Sequence, residues 1–255
     1  MSSLTFGTLV KPTKPYHSIP IEDNGDRLVP IPNDRLVWID PHPYQALGAP
    51  YGDRSPFYLR SEVLKRLLQA QTFLNEWGDL RIQVFDAYRP VAVQEFMVDH
   101  TFRTLAAEQG LAIDNLSPAE QEALQHQVHQ FWAVPSSDPA TPPPHSTGGA
   151  VDVTIVDHLG NPLDMGSPID ECSPRSYPDH FASSDRSLEK TYHQHRCLLR
   201  ESMTRAGFRN HPAEWWHFSY GDQLWAWLIA QETLAEPPTV APPVACYGNA
   251  CFLAI

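Results

Sequence analysis

From residue 61 onward the chain falls into periodic patterns. Leu64, Leu67, Leu68, Gln71 and Leu74 recur at the spacing of one helical face, with Ser61 as the cap and Gly78 at the end. Residues 80–85 (LRIQVF) alternate apolar and polar side chains, as a half-buried strand does. Pro90 suits a first helical position, so a second helix is expected over 91–108. Ser117 and Glu120 make a capping box, which predicts a third helix running to about Trp132. Residues 135–144 form a proline-rich loop ending just before His145. Val151, Val153 and Ile155 then alternate with Asp152 and Thr154, the pattern of a strand. A long helix is expected over about 185–206, with Leu188, Tyr192, Leu199 and Met203 on its apolar side and Gly207 at its end. The aromatic-rich stretch 215–220 reads as a strand, and 222–232 as a short helix.

The two ends are less regular. Residues 1–60 read as an irregular opening in which Leu36 to Ile39 looks like a strand. Beyond about Glu236 the tail has little patterning and is expected to pack loosely. The organisation is thus one domain over 1–235 and a proline-rich tail over 236–255, with no internal repeat. Helices and strands do not alternate strictly, which favours an α+β fold with a small, mainly antiparallel central sheet flanked by helices. No strand leads into a glycine-rich phosphate loop, so a nucleotide is not expected.

Charge narrows the partners. The formal net charge of −12 argues against a nucleic-acid surface and against docking on anionic lipid. No apolar run approaches the roughly 18 residues that a membrane span needs. The N-terminal residues lack the basic start and apolar core of a secretory signal, so a cytoplasmic location is expected. Cys172, Cys197, Cys246 and Cys251 fit no CxxC zinc pattern. The first two are expected as reduced thiols; the last two would pair only in an oxidising compartment.

Two segments carry candidate chemistry: His145-Ser-Thr-Gly-Gly-Ala-Val-Asp152 and Glu214-Trp-Trp-His217. A catalytic zinc takes three protein ligands and keeps one position open, and imidazole nitrogen and carboxylate oxygen suit it. Gly148 and Gly149 let the chain turn between His145 and Asp152, so that both can reach one point. Asp152 lies on the strand face opposite Val151 and Val153, and His217 is the best third ligand. Glu214, three residues earlier, is placed to take a proton from water. Strict strand alternation would set Glu214 and His217 on opposite faces, so a bend or bulge is expected there. Each residue alone has a plainer reading: Asp152 as a turn cap, Trp215 and Trp216 as core. His126, His129, His193 and His195 read as solvated helix positions, and His42, between prolines, as a loop residue.

The combination resembles the D-alanyl-D-alanine dipeptidases of the VanX type, within the hedgehog/DD-peptidase group of zinc peptidases. The resemblance rests on Asp86-Ala-Tyr-Arg-Pro90, His145 to Asp152, Met165-Gly-Ser-Pro-Ile-Asp170, and Ala206-Gly-Phe208 leading to Glu214-Trp-Trp-His217-Phe218, over roughly residues 25–220. It implies one zinc per chain held by His145, Asp152 and His217, with Glu214 as general base. It implies that Arg89 steadies the developing oxyanion and that Asp170 holds the free amino group of a small dipeptide. The activity implied is hydrolysis of D-Ala-D-Ala to two D-alanines. The rival readings are a D,D-carboxypeptidase or endopeptidase on peptidoglycan peptides, and a non-catalytic zinc-binding module. The chain departs from the family pattern at Ala87, where glycine is common, and at the prolines before His145, where such dipeptidases carry serines.

Overall fold

The computed structural model describes residues 14–233 and 244–250. Its centre is a five-stranded sheet. The strands are β2 (Val37–Trp38), β4 (Arg81–Asp86), β5 (Ala150–Val156), β6 (Arg209–Asn210) and β7 (His217–Ser219), in the order β2-β4-β5-β7-β6. Only β2 and β4 run parallel; the other pairs are antiparallel. A separate antiparallel pair joins β1 (Leu28–Pro30) to β3 (Tyr58–Arg60). The irregular opening therefore contains three short strands, of which the apolar pattern announced one.

Helices α2 (Ser61–Leu74) and α5 (Ser187–Arg205) supply most of the main core. Val63, Leu67 and Leu74 from α2, with Leu199 and Met203 from α5, pack on Ile82, Val84, Val153 and Ile155 of the sheet. Burying a side chain of this size is worth about 1.5–3 kcal/mol. Helices α3 (Val91–Glu108) and α4 (Pro118–Phe131) build a second cluster with Tyr44 and Trp132. Helix α6 (Gln223–Thr233) follows the last strand, and a four-residue helix, α1 (Pro43–Ala46), precedes β3.

Three details depart from the sequence pattern. Ser61 is the first residue of α2 rather than its cap; the Asp26 carboxylate, distant in sequence, accepts from Ser61 Oγ and from the Glu62 amide at 2.9 Å. Leu188 stands 59% exposed, because the buried stripe of α5 runs through Arg196, Leu199, Ser202 and Met203. The tail is also not loose where it is described. Ala245 and Tyr247 are fully buried, the Ala250 amide donates to the Ser146 carbonyl at 2.9 Å, and Gly248 accepts from Arg60 at 3.1 Å. Such a strap is held by backbone hydrogen bonds and one aromatic ring, which leave no periodicity to read. Cys172, Cys197 and Cys246 are free thiols; the suggested partner Cys251 lies outside the described residues. Among the described residues no helix is long and apolar enough to cross a membrane.

Candidate metal centre and cleft

The centre is built from one transverse row of the sheet. Asp86 of β4 pairs with Asp152 of β5, and Asp152 pairs with His217 of β7. Directly opposed residues of antiparallel strands point to the same face. The β4–β5 register shifts by one residue between Val84 and Asp86. Continuing the upstream register would bring Asp86 opposite Val151 instead, so this irregularity sets the row.

His145 reaches the row from the turn before β5. Gly148 sits at φ +71°, and a Cβ there would lie 2.4 Å from Leu28 Cδ2. Both the left-handed backbone and the close approach demand glycine. Arg60 fixes this turn from behind, donating from Nε to the Thr147 carbonyl at 2.8 Å.

His145 Nε2 and His217 Nδ1 lie 3.1 Å apart, and they stand 3.3 Å and 3.1 Å from the two oxygens of Asp152. His145 Nδ1 is 2.8 Å from the Ala87 carbonyl, and His217 Nε2 is 3.2 Å from Ser219 Oγ. Assigning the ring protons to those outer contacts leaves two nitrogen lone pairs and a carboxylate facing one another. Three acceptors converging in a buried space call for a cation, and the outer hydrogen bonds are of the kind that orient metal-bound imidazoles. These three residues form the group able to hold a metal ion among the described residues. Burial alone would raise the Asp152 carboxyl, but His145 and His217 hold it far below its ordinary range.

Glu214 does not belong to a strand. It closes a turn, its amide donating to the His211 carbonyl, while Asn210 Nδ2 ties the Glu214 and His217 carbonyls at 2.9 Å each. The expected bend is thus a tight turn ahead of β7, and it brings Glu214 to the side of His217. Its carboxylate is 3.9 Å from His217 Nδ1 and 3.7 Å from His211 Nδ1, beyond hydrogen-bonding distance. Burial, then the charges of Asp152 and Asp170, push its carboxyl well above the ordinary value.

Arg89 is buried and held on several sides. Nε donates to Asp86 Oδ2 at 2.9 Å, one terminal nitrogen donates to Gln94 at 2.8 Å, and the other reaches Tyr44 Oη at 3.3 Å and Asp152 at 3.4 Å. Its guanidinium lies over the rings of Tyr44 and Trp132. Asp170, at φ +66°, accepts from the Tyr44 hydroxyl at 2.7 Å. Desolvation and the Asp152 charge push the Asp170 carboxyl up to about 7.

Arg89, His145, Asp152, Asp170, Glu214 and His217 all line one cleft, so the six candidates selected from the sequence share a single site. Lys14, Tyr16, Gln94, Trp132 and His211 line it too, and no motif in the sequence marks them. His211 carried a usable signal, lying six residues before His217 in the same turn. His42 has a role beyond its place in the chain. It is the loop residue the sequence suggests, capping α1, but it is buried, and its Nε2 lies 3.2 Å from Asp86 Oδ1, which also accepts from Tyr51 Oη at 3.1 Å. His126 is exposed and His129 half-buried, away from the metal-ligand set.

The profile of the family described as D-ala-D-ala dipeptidase matches residues 38–236. A D-alanyl-D-alanine dipeptidase of Synechocystis sp. is 52% identical over 227 residues, covering 86% of this chain and 92% of that protein. One from Enterococcus faecalis is 30% identical over 55% of this chain and 62% of that protein. Among solved structures, the zinc-bound vancomycin resistance D,D-pentapeptidase VanY gives a TM-score of 0.41 at 15% identity, covering 87% of this chain and 94% of that one.

Proposed function

The chain belongs to the D-Ala-D-Ala dipeptidase family, and from that premise we propose that it is a zinc-dependent peptidase that hydrolyses free D-Ala-D-Ala to two D-alanines. The observation that carries the proposal is the cleft in which Glu214, Arg89 and Asp170 surround the converging His145, Asp152 and His217. Those three side chains would hold one zinc per chain, a donor set that suits the ion. Zinc, when bound, supplies Lewis acidity that polarises a carbonyl and lowers the pKa of water.

The protein's own groups do the rest. Glu214, unattached to any cation, accepts a proton from the attacking water. The water oxygen bonds to the peptide carbon as the negative charge moves onto the carbonyl oxygen, where the Arg89 guanidinium faces it. Glu214 then passes its proton to the leaving nitrogen as the C–N bond breaks. Asp170 accepts the substrate's ammonium, which selects a peptide with a free N-terminus. The activity is carried by one domain over residues 1–235, and a location inside the cell, where free D-Ala-D-Ala arises, belongs to the same proposal.

The retained pair of Glu214 and Arg89 supports catalysis over a purely structural metal, which needs neither. The test is zinc content together with D-alanine release from D-Ala-D-Ala and from its N-acetyl derivative. About one zinc per chain is expected, with turnover of the free dipeptide far exceeding that of the acetylated one. Equal turnover of both would replace the dipeptidase by the carboxypeptidase reading.

A further inference from the structure

Lys14 lies outside every motif, yet its side chain lines the cleft beside Glu214 and His211. Its Nζ donates to the His129 carbonyl at 3.0 Å, in the last turn of α4, where helix carbonyls favour a cation. Among the described residues Lys14 makes no ion pair, although it is half-buried. The cleft's other formal cation, Arg89, already has Asp86 and Asp152 against it. The wall beside His145 is Pro143 and Pro144, which have no amide N–H to offer an anion.

Charges in the cleft are therefore arranged unevenly. Asp170 accepts from Tyr44 on the side of Arg89. Lys14 is fixed at the last turn of α4 and shares no hydrogen bond with Asp170 or Tyr44, and Glu214 feels the charges of both Asp170 and Lys14. A zwitterionic dipeptide carries one charge of each sign at its two ends. Building on the dipeptidase reading, we infer that Lys14 binds the substrate's C-terminal carboxylate, so that it and Asp170 grip opposite ends of the dipeptide. Burial pulls the Lys14 ammonium down from its ordinary value and Glu214 pulls it back up, the condition of a desolvated cation short of counter-charge. An incoming carboxylate supplies that charge through a charge-assisted hydrogen bond.

The test compares D-Ala-D-Ala with its C-terminal amide, D-Ala-D-alaninamide, using zinc-loaded Glu214→Gln protein so that turnover is slow on the timescale of the binding measurement. With Lys14 present the acid should bind about 10- to 100-fold more tightly than the amide, as expected for a hydrogen bond between charged groups. Adding Lys14→Met should weaken the acid, leave the amide nearly unchanged, and bring the ratio close to one. Lys14→Arg should restore much of the preference, because it keeps a cation at the His129 carbonyl. A ratio unchanged by Lys14→Met overturns the inference, as does equal binding of acid and amide when Lys14 is present. Turnover of D-Ala-D-Ala by the native enzyme is scored separately: its absence would sink the dipeptidase reading, whereas the binding ratio judges Lys14 by itself.

Discussion

Asp86 and Asp170 are both linked to the Arg89 guanidinium, the first directly and the second through Tyr44, and their surroundings differ. Asp86 is wholly enclosed, and its oxygens are shared among Arg89, His42 and Tyr51. Burial would raise its carboxyl, but Arg89 and His42 hold it below the ordinary range. Asp170 meets Arg89 only through the Tyr44 hydroxyl and opens on the cleft, with its carboxyl pushed up to about 7. Glu214 resembles Asp170, with a carboxyl also raised by burial and the charge of Asp152, and no hydrogen-bonded cation. A carboxylate surrounded by fixed donors is structural support, whereas one left short of positive charge in a cleft is poised for a ligand or a proton.

The largest break in this contrast should come from Glu214→Gln. The amide keeps the size but cannot accept a proton, so turnover should fall by about 10²–10⁴-fold while zinc content stays near that of the native protein. Near-normal turnover in the zinc-loaded variant would remove Glu214 from the proton-transfer role.

Asp86→Ala attacks the satisfied side. It strands the buried Arg89, His42 and Tyr51 donors together, and removing one partner of a buried ion pair costs about 3–5 kcal/mol. Urea unfolding should show a loss of that order. A change below about 1 kcal/mol, the range of a surface pair, would mean that water replaces the carboxylate and that the corner is not sealed.

How much of this contrast could be read in the chain follows from distance along it. The capping box of α4 and the glycine turn joining His145 to Asp152 are local, and the structure forms both. The central sheet was visible as alternation in β4 and β5, though not the order of its strands. The row Asp86–Asp152–His217 depends on a one-residue shift between two strands, which no local pattern encodes. His42 reaches Asp86 across 44 positions, and Lys14 reaches His129 across 115. Between prolines or in an unpatterned opening, such residues look like loop. Asp86 itself stands in the sequence only as part of a motif; that it anchors Arg89 follows from the folded geometry.

Arg89→Lys should have a smaller effect than Asp86→Ala. Lysine keeps the charge but loses the planar fork that meets Asp86, Gln94 and Tyr44 at once. If Arg89 faces the carbonyl oxygen in the transition state, kcat should drop by about 10²-fold with KM little changed. A change confined to KM would mark a ground-state contact instead.

The smallest effect isolates Asp170 in chelator-treated, metal-free protein. Its carboxyl is raised in the fold to about 7 from an ordinary value of 3.8, so the folded chain holds that proton more tightly than the unfolded one. The associated stability is fully present below the unfolded value and is lost as pH rises through about 7. The Asp170→Asn chain carries no such proton. The native protein should therefore lose stability relative to Asp170→Asn between pH 5 and pH 8, as measured by urea unfolding at both values. The opposite slope would mean that the carboxylate is stabilised in the empty cleft. Asp170 would then resemble Asp86, a settled ion partner rather than a group held ready for a substrate's ammonium.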